Sequence, residues 1–533
     1  MISQLNFSHD NYQQGFLNRN FEEILFNRNR DIFFQNGIGF LVVLIPTVLL
    51  IAKLQNGIIL SSDSLTYLYA ARGLLNNGTL LYLYGENNLT IFPPLYPLML
   101  AMIQKVGFTG EFSASLINIG SMAISSMAIY LYIIRIFSNI IIAGIFSLLI
   151  FIHPQMQGVF MYAYSEPVFI ALFSLILLIL TFLDKDHLYK ISLITGLSIG
   201  LAFLTRYGAL AIIPAVFIGI LSFNSASFMA KIKACLLISV SCAILMVPWL
   251  VRNYLEDGTL FGPRVESEDT ILFALRRIAL VTTEYLSPFH TKKYLKLGLG
   301  ITFVMLYGFI STLYLNKFAY KNPVLVTSFV FVITHAVLMV YTQVQTVVDP
   351  IDTRYLSPLI PSIVLVLIGS VYYLTEKYFK RPGMIVICIG AIFLLFHGIQ
   401  SYLQVTTESK IAGHLAIQPQ HFPAEYFTSG SAVYSNDFKL LRYNQIFPQA
   451  KALPRQYIYR RNIRRDDRLP FLDSVKEKPA YLIWIKNSSL TDPSNEELLG
   501  GPSEDVHIEL ILKHELFNVY RSSLVQAKET ETR

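Results

Sequence analysis

Pro94–Val106, PLYPLMLAMIQKV, is apolar enough to enter a bilayer and too short to cross one comfortably. A span needs about 20 predominantly apolar residues, with roughly 17 to 25 tolerated. Eleven other segments are candidates, all but 190–205 and 208–222 within that range: 37–53, 112–135, 138–158, 166–183, 190–205, 208–222, 234–250, 298–316, 323–342, 358–374 and 383–400. Whether Pro94–Val106 also crosses decides which face every later loop occupies. If it does not cross, the inward loops carry Arg135, Lys185 with Lys190, Lys231 with Lys233, Lys317 with Lys321, and Lys377, Lys380 with Arg381. That is the positive-inside bias, loop after loop. If it crosses, the later basic loops switch to the outside. The charges therefore place Pro94–Val106 along the outer interface, beside a first interfacial helix at about 63–76.

Composition agrees with a chain that lives mostly in lipid. Of 533 residues, 53% are hydrophobic and 14% charged, against roughly 25% charged in soluble domains; the mean hydropathy is +0.50. The net charge of +7 follows in large part from the basic cytoplasmic loops and gives no reason to expect a nucleic-acid partner. Cys235, Cys242 and Cys388 all lie in apolar runs, with no disulfide or zinc spacing. The first apolar run lacks a cleavage-site pattern, so it reads as a retained helix.

Three regions follow. Residues 1–36 form a cytoplasmic segment. Residues 37–404 form a transmembrane domain with outer loops 54–111 and 251–297. Residues 405–533 form an extracytoplasmic soluble α/β domain. In that last region AVYSND (Ala432–Asp437), YLIWIK (Tyr481–Lys486) and IELILKHELFNVYR (Ile508–Arg521) read as strands. The basic run Arg460–Arg468 reads as a solvated face. The fold class expected is thus an α-helical polytopic membrane protein, with about eleven spans, two interfacial helices and a small α/β tail.

Under this topology Asp63, Glu166, Arg206, Arg252, Asp349, Asp352 and Arg354 all fall at outer helix ends or in outer loops. Asp63, in SSDS, reads either as a helix N-cap or as a proton acceptor. Glu166, just before Pro167, reads as a first-turn acid or as a partner of Asp63. Arg206, Arg252 and Arg354 either snorkel to the interface or bind an anion, for which the planar guanidinium is suited. Loop 251–297 adds Arg264, Arg276, Arg277, Lys292, Lys293 and Lys296: a solvated loop, or a cradle for phosphate head groups. His335 and His397, inside apolar runs, read as interhelical hydrogen-bonding groups. No nucleotide, nucleophile-elbow or zinc-protease motif is present.

The ordered set formed by Asp63, FPPLYP (Phe92–Pro97), YSEPVF (Tyr164–Phe169), LTRYGALAIIPA (Leu204–Ala215), PWLVRNY (Pro248–Tyr254) with FGPR (Phe261–Arg264), and DPIDTRYLSPLIP (Asp349–Pro361) resembles the GT-C superfamily of integral-membrane glycosyltransferases. Within it, the chain is most similar to the bacterial branch akin to dolichyl-phosphate-mannose–protein mannosyltransferases and the lipid A aminoarabinose transferase. The resemblance covers about residues 37–400, and GSAVYSND (Gly430–Asp437) extends it loosely into the tail. It implies a polyprenyl-phosphate-linked sugar donor, an unnamed acceptor (protein, lipid or polysaccharide), and inverting transfer at the outer face of a bacterial-type inner membrane. It further implies Asp63 as general base and Glu166 as the second acid, where many relatives carry Asp. Arg206, Arg252 and Arg354 become candidates for the donor phosphate, with Lys292 and Lys293 behind them. No cofactor is expected; Asp349 and Asp352 are the acids that a divalent metal would use. A flippase for lipid-linked glycans is the alternative, although such transporters commonly show internal repeats and midplane polar groups. One geometric condition follows: Asp63, Glu166 and Arg354 must lie within about two helix diameters, each about 10 Å.

Overall fold

The computed structural model of the chain describes residues 28–82, 88–223, 225–286, 322–378 and 382–408, then with internal gaps 422–453, 478–485, 506–514 and 517–524, and single positions between these. Lys292, Lys293, the Lys317/Lys321 loop, Arg460–Arg468 and most of the expected span 298–316 lie outside the described residues.

Helix α1 (Arg28–Lys53) enters the bilayer and α2 (Ser62–Asn77) follows it. The doubtful stretch forms α3 (Leu95–Gln104), a ten-residue helix about 15 Å long, half the roughly 30 Å of hydrocarbon. Next come α4 (Gly110–Phe137), α5 (Ile140–Ile152) and α6 (Pro154–Phe160), then α7 (Glu166–Leu180), α8 (Leu188–Thr205), α9 (Ile212–Leu221) and α10 (Phe228–Asp257). The described part of the bundle closes with α11 (Ile271–Leu286), α12 (Pro323–Gln345), α13 (Thr353–Leu356), α14 (Ile360–Tyr378) and α15 (Pro382–Glu408).

Among the described residues seven helices are long and apolar enough to cross, and α5 with α6 makes an eighth if the pair, bent by 59°, is one span. The expected span 138–158 is this bent pair; Pro154 lacks an N–H and opens a new helix capped by His153. The expected span 166–183 appears as Glu166–Leu180, ending before its last three residues at the end away from Glu166, and the expected 208–222 appears at its expected length as Tyr207–Leu221. Fifteen residues rise only about 22 Å. Both short segments begin at the end of the bundle where Glu166 and Arg206 stand. An acid or an arginine is costly within hydrocarbon, so both segments start at this end, around a charged recess that solvent enters as far as Asp63.

Helices α8 and α10 approach unusually closely. A Cβ at Gly196 would fall on the Ser241 hydroxyl and lie 2.7 Å from the Ile238 carbonyl oxygen. Small residues permit this packing where lipid offers no hydrophobic drive between helices. Gly196→Leu is therefore expected to cost about 1–3 kcal/mol by overpacking, read as a lower melting temperature in detergent, whereas the exposed Gly37, with nothing near its Cβ, accepts alanine without change.

The tail contains a five-stranded sheet of order β2-β1-β3-β5-β4. Its strands are β1 (Val433–Ser435), β2 (Lys451–Ala452), β3 (Ala480–Ile485), β4 (Val506–Lys513) and β5 (Phe517–Leu524). β1 runs parallel to β2 and β3, and β5 is antiparallel to β3 and β4. The apolar run Ile508–Arg521 is two strands of a hairpin rather than one, because the chain turns after Lys513. Every residue of β3 is buried, which a strand requires when both sheet faces are covered. Tyr481, Ile483 and Ile485 face one side and share a core with Leu65, Leu68 and Ala71 of α2 and Tyr96 and Leu100 of α3. Leu482 and Trp484 face the other core, with Tyr434 and Leu453. The sheet thus sits on the two interfacial helices, at the same end of the bundle as Asp63.

Candidate active site

Three backbone devices bring the charged groups together. First, Ser61 caps α2, its hydroxyl accepting from the Ser64 N–H at 3.3 Å. The cap is thus Ser61 and not Asp63, which stands in the first turn and whose carboxylate reaches across the site to Arg354. Second, the segment before α2 pairs with the segment before α7: Ile59 N–H donates to Met161 O at 2.8 Å, and Ala163 N–H to Ile59 O at 3.1 Å. Asn118 of α4 donates to both Phe160 O (2.8 Å) and Tyr162 O (2.7 Å), which fixes the turn that aims Glu166. Third, Asp352 caps α13 by accepting from the N–H groups of Arg354 (2.9 Å) and Tyr355 (3.3 Å). From α11, Arg277 Nε donates to Ile351 O at 2.9 Å and the Tyr285 hydroxyl to Thr353 O at 2.7 Å, so the chain on both sides of Asp352 is held.

Between these devices runs an ion-pair chain, Arg206–Glu166–Arg354–Asp63. Arg206 Nη1 lies 2.6 Å from Glu166 Oε1, Arg354 Nε lies 3.3 Å from the same oxygen, and Arg354 Nη1 lies 2.7 Å from Asp63 Oδ2. Asp349 stands 3.6 Å from Arg354 Nη2. Residues separated by up to 291 positions are in direct contact, well inside the two-helix-diameter condition. Tyr164 and Tyr355 flank the Arg354 guanidinium, each ring centroid 4.8 Å away. Exposure divides the two acids: the Asp63 side chain is 27% exposed and the Glu166 side chain 1%. A molecule in the recess can touch Asp63, whereas Glu166 is covered by its arginines.

The other expected groups are placed differently. Arg252 does not join the chain; its Nη1 donates to Leu89 O at 2.5 Å and its guanidinium lies over Trp249. Arg264, which the sequence shows only as one of many basic residues in its loop, stands by the site. Its Nη2 donates to Ile91 O (2.9 Å) and Phe261 O (3.2 Å), and among the described residues it has no carboxylate partner within ion-pair distance. It is exposed, yet enough protein surrounds it that desolvation lowers its pKa, with Tyr207, Tyr355, Tyr82 and Asp63 acting in the opposite direction. Tyr82 is within electrostatic reach of both charges. Burial and then the Asp63 carboxylate push its phenol up to about 12, and Arg264 draws it down.

A family model described as dolichyl-phosphate-mannose-protein mannosyltransferase matches residues 92–251. ArnT from Cupriavidus metallidurans bound to undecaprenyl phosphate superposes with a TM-score of 0.57 at 12% identity, over 93% of this chain and 98% of that one. The chain has the GT-C fold. The same Cupriavidus protein in the apo state also gives 0.57 at 12% identity, over 91% and 98%. An Archaeoglobus fulgidus oligosaccharyltransferase tethered to an acceptor peptide gives 0.47 at 12% identity, over 85% and 69%. No curated protein sequence matches the chain.

Within the GT-C fold, the matched stretch holds FPPLYP, Glu166 and Arg206, while Asp63, Arg252, Arg264 and Arg354 lie outside it. His335 and His397 make no ion pair with the chain of charges. His335 pairs with Tyr355 O (3.4 Å), and His397 with Gln400 of its own helix and the ring of His153. Among the described residues, no group of three or more His, Cys, Asp or Glu is arranged to hold a metal ion. The FGPR signal that would have singled out Arg264 is its glycine. Gly262 has φ +77°, and a Cβ there would lie 2.7 Å from Ile91 Cα, so the loop presses on the segment that enters FPPLYP.

Proposed function

We propose that this multi-pass membrane protein transfers a sugar from a polyprenyl-phosphate-linked donor to an acceptor at the outer face of the membrane. The observation that carries the reading is the presence, at one end of the membrane helices, of a solvent-reached carboxylate, Asp63, and a cation within its electrostatic reach, Arg264, that has no carboxylate in ion-pair distance among the described residues. The relative bound to undecaprenyl phosphate, which shares the fold over nearly the whole chain, supplies the ligand class. In this reading Asp63 accepts the proton of the acceptor O–H or N–H as that atom attacks the anomeric carbon from the face opposite the phosphate. The bond from the anomeric carbon to the phosphate oxygen breaks, its electron pair stays on that oxygen, and polyprenyl phosphate leaves with one more negative charge. Cations aimed at that developing charge lower the barrier.

The arginines divide this work. Arg264 is the first partner of the phosphate, because Arg206 and Arg354 are already paired with carboxylates and Arg252 has the acids Glu256 and Asp257 near it, whereas Arg264 is held only by backbone carbonyls. Arg354 is the second: a phosphate drawing it from Asp63 would raise the basicity of that carboxylate. Glu166, buried against both arginines, positions them and does not meet the acceptor. Since Asp63 and Glu166 are engaged by arginines, we assign the reaction no resident metal. The bundle ends that bear Arg135, Lys185, Lys190, Lys231 and Lys233 are opposite the recess along α4, α7, α8 and α10. By the positive-inside rule, the recess and the sheet then face outward from a bacterial-type inner membrane.

The test is turnover of a panel of polyprenyl-phosphate-linked sugars by the purified full chain, followed as release of the lipid phosphate in the presence of lipid, peptide and glycan acceptors. Release that depends on one donor, requires an acceptor and is unchanged by a chelator is the expected result. Movement of intact donor across vesicle membranes without release would instead mark a flippase.

A further inference from the structure

The last turns of α10 carry a hydrogen-bonded knot that the chemistry above does not use. Asn253 is fully buried. Its Nδ2 lies within hydrogen-bond distance of the Tyr207 hydroxyl (3.1 Å), Leu260 O (3.1 Å) and Thr90 O (3.2 Å), and its Oδ1 accepts from Arg252 Nη1 at 3.1 Å. The Tyr207 hydroxyl donates to Thr90 O at 2.9 Å and accepts from Trp249 Nε1 at 3.0 Å. The ties continue along the same strip of backbone: Arg252 to Leu89 O, Asn88 Nδ2 to Glu256 Oε2 at 2.8 Å, and the Thr90 hydroxyl to Asp257 Oδ2 at 2.5 Å. One carboxamide thus joins three pieces of chain. These are segment 88–91, the turn that follows Arg206, and the start of the loop that carries Arg264.

The consequence falls on Arg264. Its loop, residues 259–270, contains neither helix nor strand apart from one isolated bridge residue, and an arginine on an untethered loop has many conformations to lose on meeting an anion. Here the loop is fastened at Leu260 by Asn253, presses on Ile91 through Gly262, and returns Arg264 to Ile91 O. Segment 88–91, onto which it fastens, is itself fixed to α10 by the same knot. The position of the cation is therefore set by a membrane helix.

We propose that Asn253 is a positioning residue for the lipid donor, holding Arg264 at the rim of the Asp63 recess so that the donor phosphate meets a pre-placed cation. This rests on the reading of Arg264 as the phosphate's partner. An amide is the group that fits, since it donates to carbonyl and hydroxyl oxygens while accepting from Arg252; a carboxylate of the same shape would set oxygen against oxygen.

A double-mutant cycle on the full chain, with undecaprenyl phosphate as probe and calorimetric Kd as readout, tests it. Arg264→Gln and Asn253→Ala are each expected to weaken binding roughly ten-fold, as loss of a charge-assisted contact would. The double variant is expected to bind about as weakly as Arg264→Gln alone, because the two act through one contact. In turnover, Asn253→Ala should raise the donor KM and leave kcat and its pH profile in place. Tyr207→Phe, which removes only the bridging hydroxyl, should repeat the pattern in milder form, and it replaces Asn253→Ala if that variant fails to fold. An Arg264→Gln variant that binds as the wild type does overturns the phosphate reading and the proposal with it. A weakened Arg264→Gln beside an unaffected Asn253→Ala, or losses that multiply in the double variant, overturns the proposal alone.

Discussion

Asp63→Asn yields a folded protein that no longer transfers sugar. The amide keeps the size of the carboxylate and can still accept from Arg354 Nη1, which lies 2.7 Å away in the native site. Arg354 also keeps Glu166 at 3.3 Å, so no buried cation is abandoned. Because the Asp63 side chain is 27% exposed, its pair with Arg354 contributes little net stability once solvent screening is counted, and the melting temperature should move little. What is lost is the proton acceptor. Removing a positioned general base costs about 10²–10⁴-fold in rate, so release of lipid phosphate in the presence of acceptor should fall by that factor. Binding of undecaprenyl phosphate should be retained or tightened, since a negative charge beside the phosphate has gone. A fully active variant would remove Asp63 from the chemistry.

Glu166→Gln has the opposite profile, with stability as its first casualty. Glu166 is 1% exposed and receives two guanidinium groups, at 2.6 and 3.3 Å. Neutralising it leaves Arg206 facing no other ion-pair partner among the described residues, and leaves Arg354 with Asp63 and the exposed Asp349 alone. Breaking a buried ion pair by removing one partner costs about 3–5 kcal/mol. That loss should appear as a markedly lower melting temperature and poor yield in detergent, with activity falling because both arginines are displaced. Glu166→Asp keeps the charge on a shorter arm and should recover most of the stability and part of the rate. A Glu166→Gln protein as stable as the wild type but inactive would instead mean that this acid takes part directly in the reaction.

The sequence makes the convergence of Asp63, Glu166, Arg206 and Arg354 legible for a simple reason. Each stands at a helix end, and the alternation of basic loops puts all those ends on one side. It shows the continuous apolar run of β3 for a similar reason, since a strand covered on both faces has no polar alternation. It does not show where within SSDS the helix is capped. Ser61 and Asp63 both suit a cap, and the choice of Ser61 depends on Arg354 claiming the carboxylate from 291 residues away. Nor does it separate Arg252 from Arg264. Both are arginines in one outer region, and only segment 88–91, folded back from more than 160 positions earlier, decides that Arg252 turns to Leu89 and Arg264 to Ile91. Both short segments are legible as well: α7 starts at Glu166, where the apolar run starts, and Tyr207–Leu221 has the length of the expected 208–222.

All of this converges on one place for one chemical group. The most direct measurement is a cryo-electron microscopy map of the full chain with undecaprenyl phosphate bound. The phosphate is predicted at hydrogen-bond distance, about 3 Å, from Arg264, in the recess that Asp63 borders, with Arg354 turned from Asp63 toward it and the lipid tail leading into the bilayer. A phosphate held at the opposite end of the bundle, among the loops that carry Arg135 and Lys185, would contradict the account.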